Sequence, residues 1–140
     1  MSTEWIEVRA GERARRHIAR QGLVPADIAC IPAAAGGPKG LVLVPLDRLL
    51  LGEWMPAAAR VEFVGASIGA WRMAAMAQAD PLAALDRLQH AYVQEQNYSQ
   101  SPTPKQVATV CRGLARSVLA SGGLHIRAGA ALSVLTARAQ

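Results

Sequence analysis

Residues 60–69 constrain the fold of this chain more than any other segment. A short run rich in β-branched and aromatic residues, Arg60 to Val64, leads directly into Gly65-Ala66-Ser67-Ile68-Gly69, and residues 70–79 are then apolar almost throughout. A run of the first kind favours a β-strand, and a longer apolar stretch favours a buried helix. The segment therefore predicts a strand, a tight turn and a buried helix in immediate succession.

An earlier segment has the same order of features. A short apolar run from Asp27 to Pro32 is followed by the glycine-rich residues 33–40 and by a leucine-rich stretch to Gly52. This order predicts a strand, a glycine loop and a helix. Because Pro45 lacks a backbone N–H group and clashes within a helix, we expect two short helical pieces rather than one rod.

The remaining elements follow from helix caps and apolar periodicity: a helix over 9–21 that ends at Gly22, a helix from the Asp80-Pro81 cap to about Gln96, a helix from a capping box at Thr103 to Ser121, and a strand over 131–136. Strands that alternate with helices favour parallel pairing. The sequence thus predicts an α/β fold, a parallel doubly wound sheet flanked by helices.

Length and composition limit the class of protein. The chain has 140 residues, of which 51% are apolar and 18% charged, so a single domain with a buried core is expected and disorder is excluded. The apolar runs are too short to span a membrane, and the N-terminus lacks a signal peptide pattern, so we expect a cytoplasmic protein. Cys30 and Cys111 fit neither a disulfide framework nor a metal site. Both are expected to be small buried hydrophobes.

The net charge of +5 comes from the last third of the chain, where no acidic residue follows Glu95. Lys105, Arg112 and Arg116 fall on one stripe of the helix expected there, opposite an apolar face. Such a stripe is typical of a surface helix, and the chain is poor in aromatic residues for base stacking. We expect at most weak, salt-sensitive contact with an anionic membrane surface, and no specific nucleic acid partner.

The pattern Gly65-x-Ser67-x-Gly69 indicates chemistry as well as structure. A nucleophilic serine at a sharp strand-to-helix turn needs small neighbours, because the turn brings the flanking backbone close together. In that position the helix dipole would favour negative charge on the serine oxygen. The alternative is an ordinary glycine turn in which Ser67 only caps the helix.

The glycine-rich loop could supply the second part of such a site. Gly36 and Gly37 allow the backbone to approach a ligand, and the loop precedes a helix N-terminus, so its N–H groups could converge on one anionic oxygen. It is not a phosphate-binding P-loop, because Gly40 follows Lys39 where serine or threonine would hold Mg²⁺.

Taken together, the loop Ala35-Gly36-Gly37-Pro38-Lys39-Gly40 and the motif Gly65-Ala66-Ser67-Ile68-Gly69-Ala70-Trp71-Arg72 resemble the patatin-like phospholipase family. The resemblance implies a modified α/β-hydrolase fold, lipid or small ester substrates and no cofactor. It implies Ser67 as the nucleophile, and an oxyanion hole at Gly36, Gly37, Lys39 and Gly40. The chain departs from the family at Ala35, where glycine is usual, and at Lys39, where arginine is more common.

A larger departure concerns the second catalytic residue. The family pairs its serine with an aspartate in a downstream Asp-Gly-Gly or Asp-Gly-Ala motif, and no such motif follows Ser67 here. We therefore expect residues 1–140 to be a single partial patatin-like domain that ends after its third strand. A catalytically silent remnant or an anion- or lipid-binding module is the alternative function. A third interpretation, a triad of Ser67, Asp86 and His125, follows the chain order of ordinary α/β-hydrolases.

Overall fold

Three parallel strands form the sheet on which the rest of the chain packs. The computed structural model describes residues 9–56, 59–120, 123 and 125–136. The strands are β1 (Cys30–Ala33), β2 (Val61–Ala66) and β3 (Ala130–Leu135). β2 lies in the centre, with Phe63 opposite Ile31 on one side and opposite Leu132 on the other. The α/β fold with a parallel sheet is confirmed.

Five α-helices accompany the sheet in the described residues: α1 (Glu12–Gln21), α2 (Val44–Leu49), α3 (Ile68–Met76), α4 (Pro81–His90) and α5 (Pro104–Leu119). A 3₁₀ turn (Pro25–Asp27) precedes β1, and a longer 3₁₀ segment (Gly37–Leu43) leads into α2. π-helical turns extend α2 to Trp54 and α4 to Glu95. Helices are therefore present where the sequence predicts them, and the piece before Pro45 is 3₁₀ rather than α-helical.

Two predicted helix starts are confirmed by their caps. The Asp80 side chain accepts a hydrogen bond from the Ala83 N–H at 3.0 Å. Thr103 and Gln106 form a reciprocal capping box at the start of α5. Ser121 and Gly122, where the sequence predicts the end of that helix, lie outside the described residues. None of the described helices is long and apolar enough to cross a membrane.

The core lies on one face of the sheet. Burial alternates along β2, so that Val61, Phe63 and Gly65 are buried while Glu62 is exposed. The buried residues pack against α3 and α4, whose fully buried members in this core are Met73, Ala75, Met76, Ala84, Leu85 and Leu88. Burial of large apolar side chains, about 1.5–3 kcal/mol each, makes this face the main source of stability.

The opposite face of the sheet is open in the described part of the chain. Glu62 and Ser133 are joined across it by a hydrogen bond of 2.8 Å, and Leu135 is 62% exposed. Cys30 is also exposed and Cys111 is only half-buried, so the expectation that both are buried hydrophobes is wrong. The physical reason for Cys30 is its position on a strand face that no described helix covers.

The strand order β1-β2-β3 runs in one direction. Successive right-handed crossovers in one direction place the connecting helices on the same face of a sheet, whereas a doubly wound sheet reverses direction and covers both faces. The described strands therefore do not show the doubly wound arrangement that the sequence analysis predicts.

Candidate active site

Ser67 stands alone between a strand and a helix. β2 ends at Ala66, α3 begins at Ile68, and Ser67 has φ 53° and ψ −127°. A residue with a side chain is rarely found at such angles, and holding it there costs about 1–3 kcal/mol. The turn is as sharp as the sequence predicts. Its strained residue is Ser67, whose side chain carries the hydroxyl group of the motif.

The two flanking glycines explain how the turn closes. A Cβ atom on Gly65 would lie 2.5 Å from the Cα of Ala70, and one on Gly69 would lie 2.3 Å from the carbonyl oxygen of Ala33. Both distances are far below van der Waals contact. Glycine at these positions thus lets α3 fold back onto β2 and approach the end of β1.

The Ser67 hydroxyl does not cap the helix. The Ser67 carbonyl accepts the N–H of Ala70 at 2.9 Å, but the side chain makes no capping hydrogen bond. Capping serines have extended backbone angles, which aim the hydroxyl at the first helical N–H groups, and the positive φ of Ser67 turns it elsewhere. The side chain is exposed. The alternative in which Ser67 is only a helix cap is therefore wrong.

We expect Ser67→Gly to raise the free energy of unfolding by about 1 kcal/mol, because relief of about 1–3 kcal/mol of strain exceeds the entropic cost of a glycine, about 0.5–1 kcal/mol. Urea denaturation measures the change. Ser67→Ala is the matched control, since alanine keeps the Cβ atom and should give no comparable gain. Equal stabilities of Ser67→Gly and Ser67→Ala would contradict the strain at this turn.

The glycine loop lies against the start of α3. Its first residues approach Gly69, whose added Cβ would come within 2.7 Å of the Ala34 carbonyl oxygen. At its other end, a Cβ on Gly40 would lie 2.7 Å from a methyl group of Ile68, the residue that follows Ser67. Gly36 and Gly37 meet nothing within 4 Å, and Lys39 is exposed. The loop is thus next to the turn and open to solvent, while its role as an oxyanion hole stays a prediction.

An apolar groove of about 380 Å³ opens beside Ser67. Three elements line it: α3 with Ala70, Trp71 and Ala74, the end of α5 with Val118 and Leu119, and the end of β3 with Val134, Leu135 and Thr136. A larger cavity, of about 750 Å³, lies at the other end of the sheet beside Arg127 and does not include Ser67. The serine hydroxyl and the apolar groove therefore meet at one edge of the molecule.

The chain can be compared with known proteins by sequence and by structure. Comparisons with protein families, curated proteins and solved structures find no match. The resemblance to patatin-like phospholipases accordingly depends on the glycine loop and the Gly65-x-Ser67-x-Gly69 motif alone.

The structure does not bring the members of the alternative triad together. Asp86 is exposed on α4 and forms an ion pair with Arg48. The carbonyl of His125 accepts a hydrogen bond from the N–H of Ala79, which lies past the C-terminal end of α3. Ser67 precedes the N-terminal end of α3, whereas His125 contacts the chain past its C-terminal end. Because a helix rises about 1.5 Å per residue, the length of α3, roughly 13 Å, separates Ser67 from this contact of His125. A Ser67–Asp86–His125 triad is not formed in this arrangement.

A buried ion pair close to the site was not predicted from the sequence. The Arg72 guanidinium donates from Nε to Asp47 Oδ2 at 2.8 Å and from Nη2 to Asp47 Oδ1 at 2.6 Å. Asp47 is 2% exposed and Arg72 is 6% exposed. A signal was present in the sequence, because Arg72 is the one charged residue within the apolar stretch 70–79. Buried charges usually have a partner of opposite sign.

The three cations of the stripe on α5 are on the surface, as expected. Lys105, Arg112 and Arg116 are exposed on α5, while Leu114 and Val118 on its other side are buried. Whether this stripe contacts an anionic membrane stays a prediction.

Proposed function

We propose that this chain acts on carboxylic esters of lipids, with Ser67 as the nucleophile. The observation that carries the proposal is the backbone conformation of Ser67, whose strained turn exposes a hydroxyl that serves no capping role. A fold keeps such strain where the surrounding contacts enforce it, and functional sites are where these conformations cluster. The resemblance to patatin-like phospholipases assigns the same residue the same role.

The chemistry would follow the usual course of acyl transfer. Ser67 Oγ attacks the ester carbonyl carbon, a bond forms between them, and the carbonyl electron pair moves to its oxygen. The N–H groups of the glycine loop would stabilise this oxyanion, each contributing about 3 kcal/mol when well placed. The carbon–oxygen bond to the leaving alcohol then breaks. The alcohol leaves with the proton lost by the serine, and water hydrolyses the acyl-enzyme.

The groove indicates the kind of acyl group. Its walls are alanine, leucine, valine and tryptophan side chains, and Thr136 is the one polar residue besides Ser67. A hydrocarbon chain gains about 0.8 kcal/mol for each methylene group buried in such a surface. The proposed substrate class is therefore an ester with an alkyl acyl chain, as in a membrane lipid.

The three aspartates that follow the glycine loop have other contacts, which favours a second candidate function. Asp47 pairs with Arg72, Asp80 caps α4, and Asp86 pairs with Arg48. These hydrogen bonds and ion pairs occupy all three carboxylates. A site that binds lipids or anions without turnover, using the same groove and loop, is the alternative function.

A fluorophosphonate with a long alkyl chain tests the proposal. It reacts with activated serines and places its phosphoryl oxygen where the oxyanion would form. We expect mass spectrometry to find the adduct on Ser67, formed at least about a hundredfold faster than on the ordinary loop serine Ser99, a factor that one well-placed oxyanion donor can supply. Ser67→Ala should remove this adduct. Equal labelling of Ser67 and Ser99 would contradict the proposed nucleophile.

A second arm of the same experiment tests the groove. Ala74→Phe places a larger side chain in the groove, so we expect slower labelling by the long-chain probe and unchanged labelling by a diethyl fluorophosphate. Slowing of both probes alike would show that the variant disturbs the turn rather than the groove. If Ala74→Phe is labelled by each probe at the same rate as the wild type, the groove is excluded as the acyl site.

A further inference from the structure

We propose that Asp47 and Arg72 are positioning residues, which hold the glycine loop against the nucleophile helix. The inference rests on the proposed function, because it concerns how the loop presents its N–H groups to Ser67. Asp47 is on α2, which follows the loop, and Arg72 is on α3, which follows Ser67. The two side chains thus join the two halves of the candidate site.

The loop and the helix after it have few buried side chains, although Leu41 is partly buried against the core and Arg48 pairs with Asp86 on α4. Of residues 37–49, only Val44 and Asp47 are buried. Val42, Leu43, Leu46 and Leu49 on the same segment are each more than 40% exposed. One of the two buried side chains in this segment is therefore the carboxylate that pairs with Arg72.

The backbone hydrogen bonds within the segment also contribute little to holding it in place. Seven residues, Gly37–Leu43, form a 3₁₀ helix, and runs of this kind longer than three or four residues are uncommon because their hydrogen-bond geometry is poor. Pro45 also removes one backbone donor just after it. The segment consequently depends on tertiary contacts for its position, with α3 through Gly40 and Asp47 and with α4 through the Arg48–Asp86 ion pair.

The contacts with α3 differ in what they can fix. Gly40 against Ile68 is a close van der Waals approach, which prevents overlap but sets no orientation. The Asp47–Arg72 pair is bidentate, and two parallel charge-assisted hydrogen bonds define both the distance and the relative rotation of their helices. It is the directional link between α2 and α3.

Stability alone does not account for this pair. Replacing both members of a buried ion pair by apolar residues of similar volume is often neutral or stabilising, because desolvation of two charges offsets their attraction. The geometry accordingly points to orientation of the loop as the role of the pair. Replacing both residues separates an effect on orientation from an effect on stability.

The test compares the wild-type chain with Asp47→Leu/Arg72→Met. We expect the double variant to retain its melting temperature, to exchange the backbone amides of residues 36–43 at least about tenfold faster, and to label Ser67 with the alkyl fluorophosphonate about ten to a hundred times more slowly. A displacement of about 1 Å in a catalytic group can cost a factor of this size. The slowing should appear in the rate of the covalent step and not in probe affinity, because neither residue lines the groove.

Two further variants complete the comparison. Arg72→Lys keeps the charge but loses the bidentate geometry, so Ser67 should be labelled more slowly in this variant than in the wild type. Arg48→Met removes an exposed ion pair from the same helix and should leave amide exchange and labelling unchanged. Unchanged exchange of residues 36–43 in the double variant would overturn the inference, whatever Ser67 does. Faster exchange together with no selective labelling of Ser67 in the wild type would overturn the proposed function and the positioning role with it.

Discussion

Gly69→Ala should lower the free energy of unfolding by about 3 kcal/mol or more, at the upper end of what overpacking costs. The added methyl group would lie 2.3 Å from the Ala33 carbonyl oxygen and 2.7 Å from that of Ala34. Both atoms belong to the backbone, so no side chain can rotate away, and α3 would have to move off the end of β1. Since small domains are stable by only about 5–15 kcal/mol, this loss would remove roughly a fifth to three-fifths of the total. Urea denaturation followed by circular dichroism measures the loss.

Gly113→Ala is the matched control for this substitution. Gly113 lies within α5, and a Cβ atom there would meet nothing within 4 Å. Because glycine is less favourable than alanine in a helix, this variant should gain about 0.5–1 kcal/mol. Opposite signs for the two substitutions support the close packing of α3 on β1. A Gly69→Ala variant as stable as the wild type would contradict it.

Turnover of a p-nitrophenyl ester by residues 1–140 should be slower than about 0.1 s⁻¹. A general base contributes about 10²–10⁴-fold to a reaction of this kind, and an ordinary enzyme turns over at about 10 s⁻¹. Asp47, Asp80 and Asp86 make other contacts, and no acidic residue follows Glu95 in residues 1–140. Release of p-nitrophenol, corrected for Ser67→Ala, measures the rate.

The same assay separates the two candidate functions. Slow release that depends on Ser67 supports an acyl-transfer site without its base. Release equal to that of Ser67→Ala, together with binding of the alkyl probe, supports the binding module. Turnover near 10 s⁻¹ would contradict the expectation and require a base within these residues, and His125→Ala would be the first variant to measure.

The parts of the fold that the sequence predicts correctly are those set by neighbouring residues. The Asp80 cap and the Thr103 capping box act over three residues, and the glycines around Ser67 act over five. Such interactions are encoded in short segments, so spacing alone identifies them. For the same reason the turn at Ser67 could be located before its backbone angles were known.

The features that the sequence did not predict depend on residues far apart in the chain. Asp47 and Arg72 are 25 positions apart, and their pairing needs α2 and α3 to cross at one particular place. The exposure of Cys30 needs knowledge of which sheet face the helices cover, which the strand order decides. Apolar periodicity indicates which elements form, but it does not give their arrangement around the sheet.

The strained backbone at Ser67 also bears on how related chains would diverge. Mutation and selection act against a conformation that lowers stability unless the hydroxyl it presents is needed. In a lineage that no longer used the reaction, glycine, which adopts such backbone angles without steric cost, would spread at this position while the fold stayed the same. The residue found at position 67 in relatives would then separate lineages under selection for catalysis from those that retain only the scaffold.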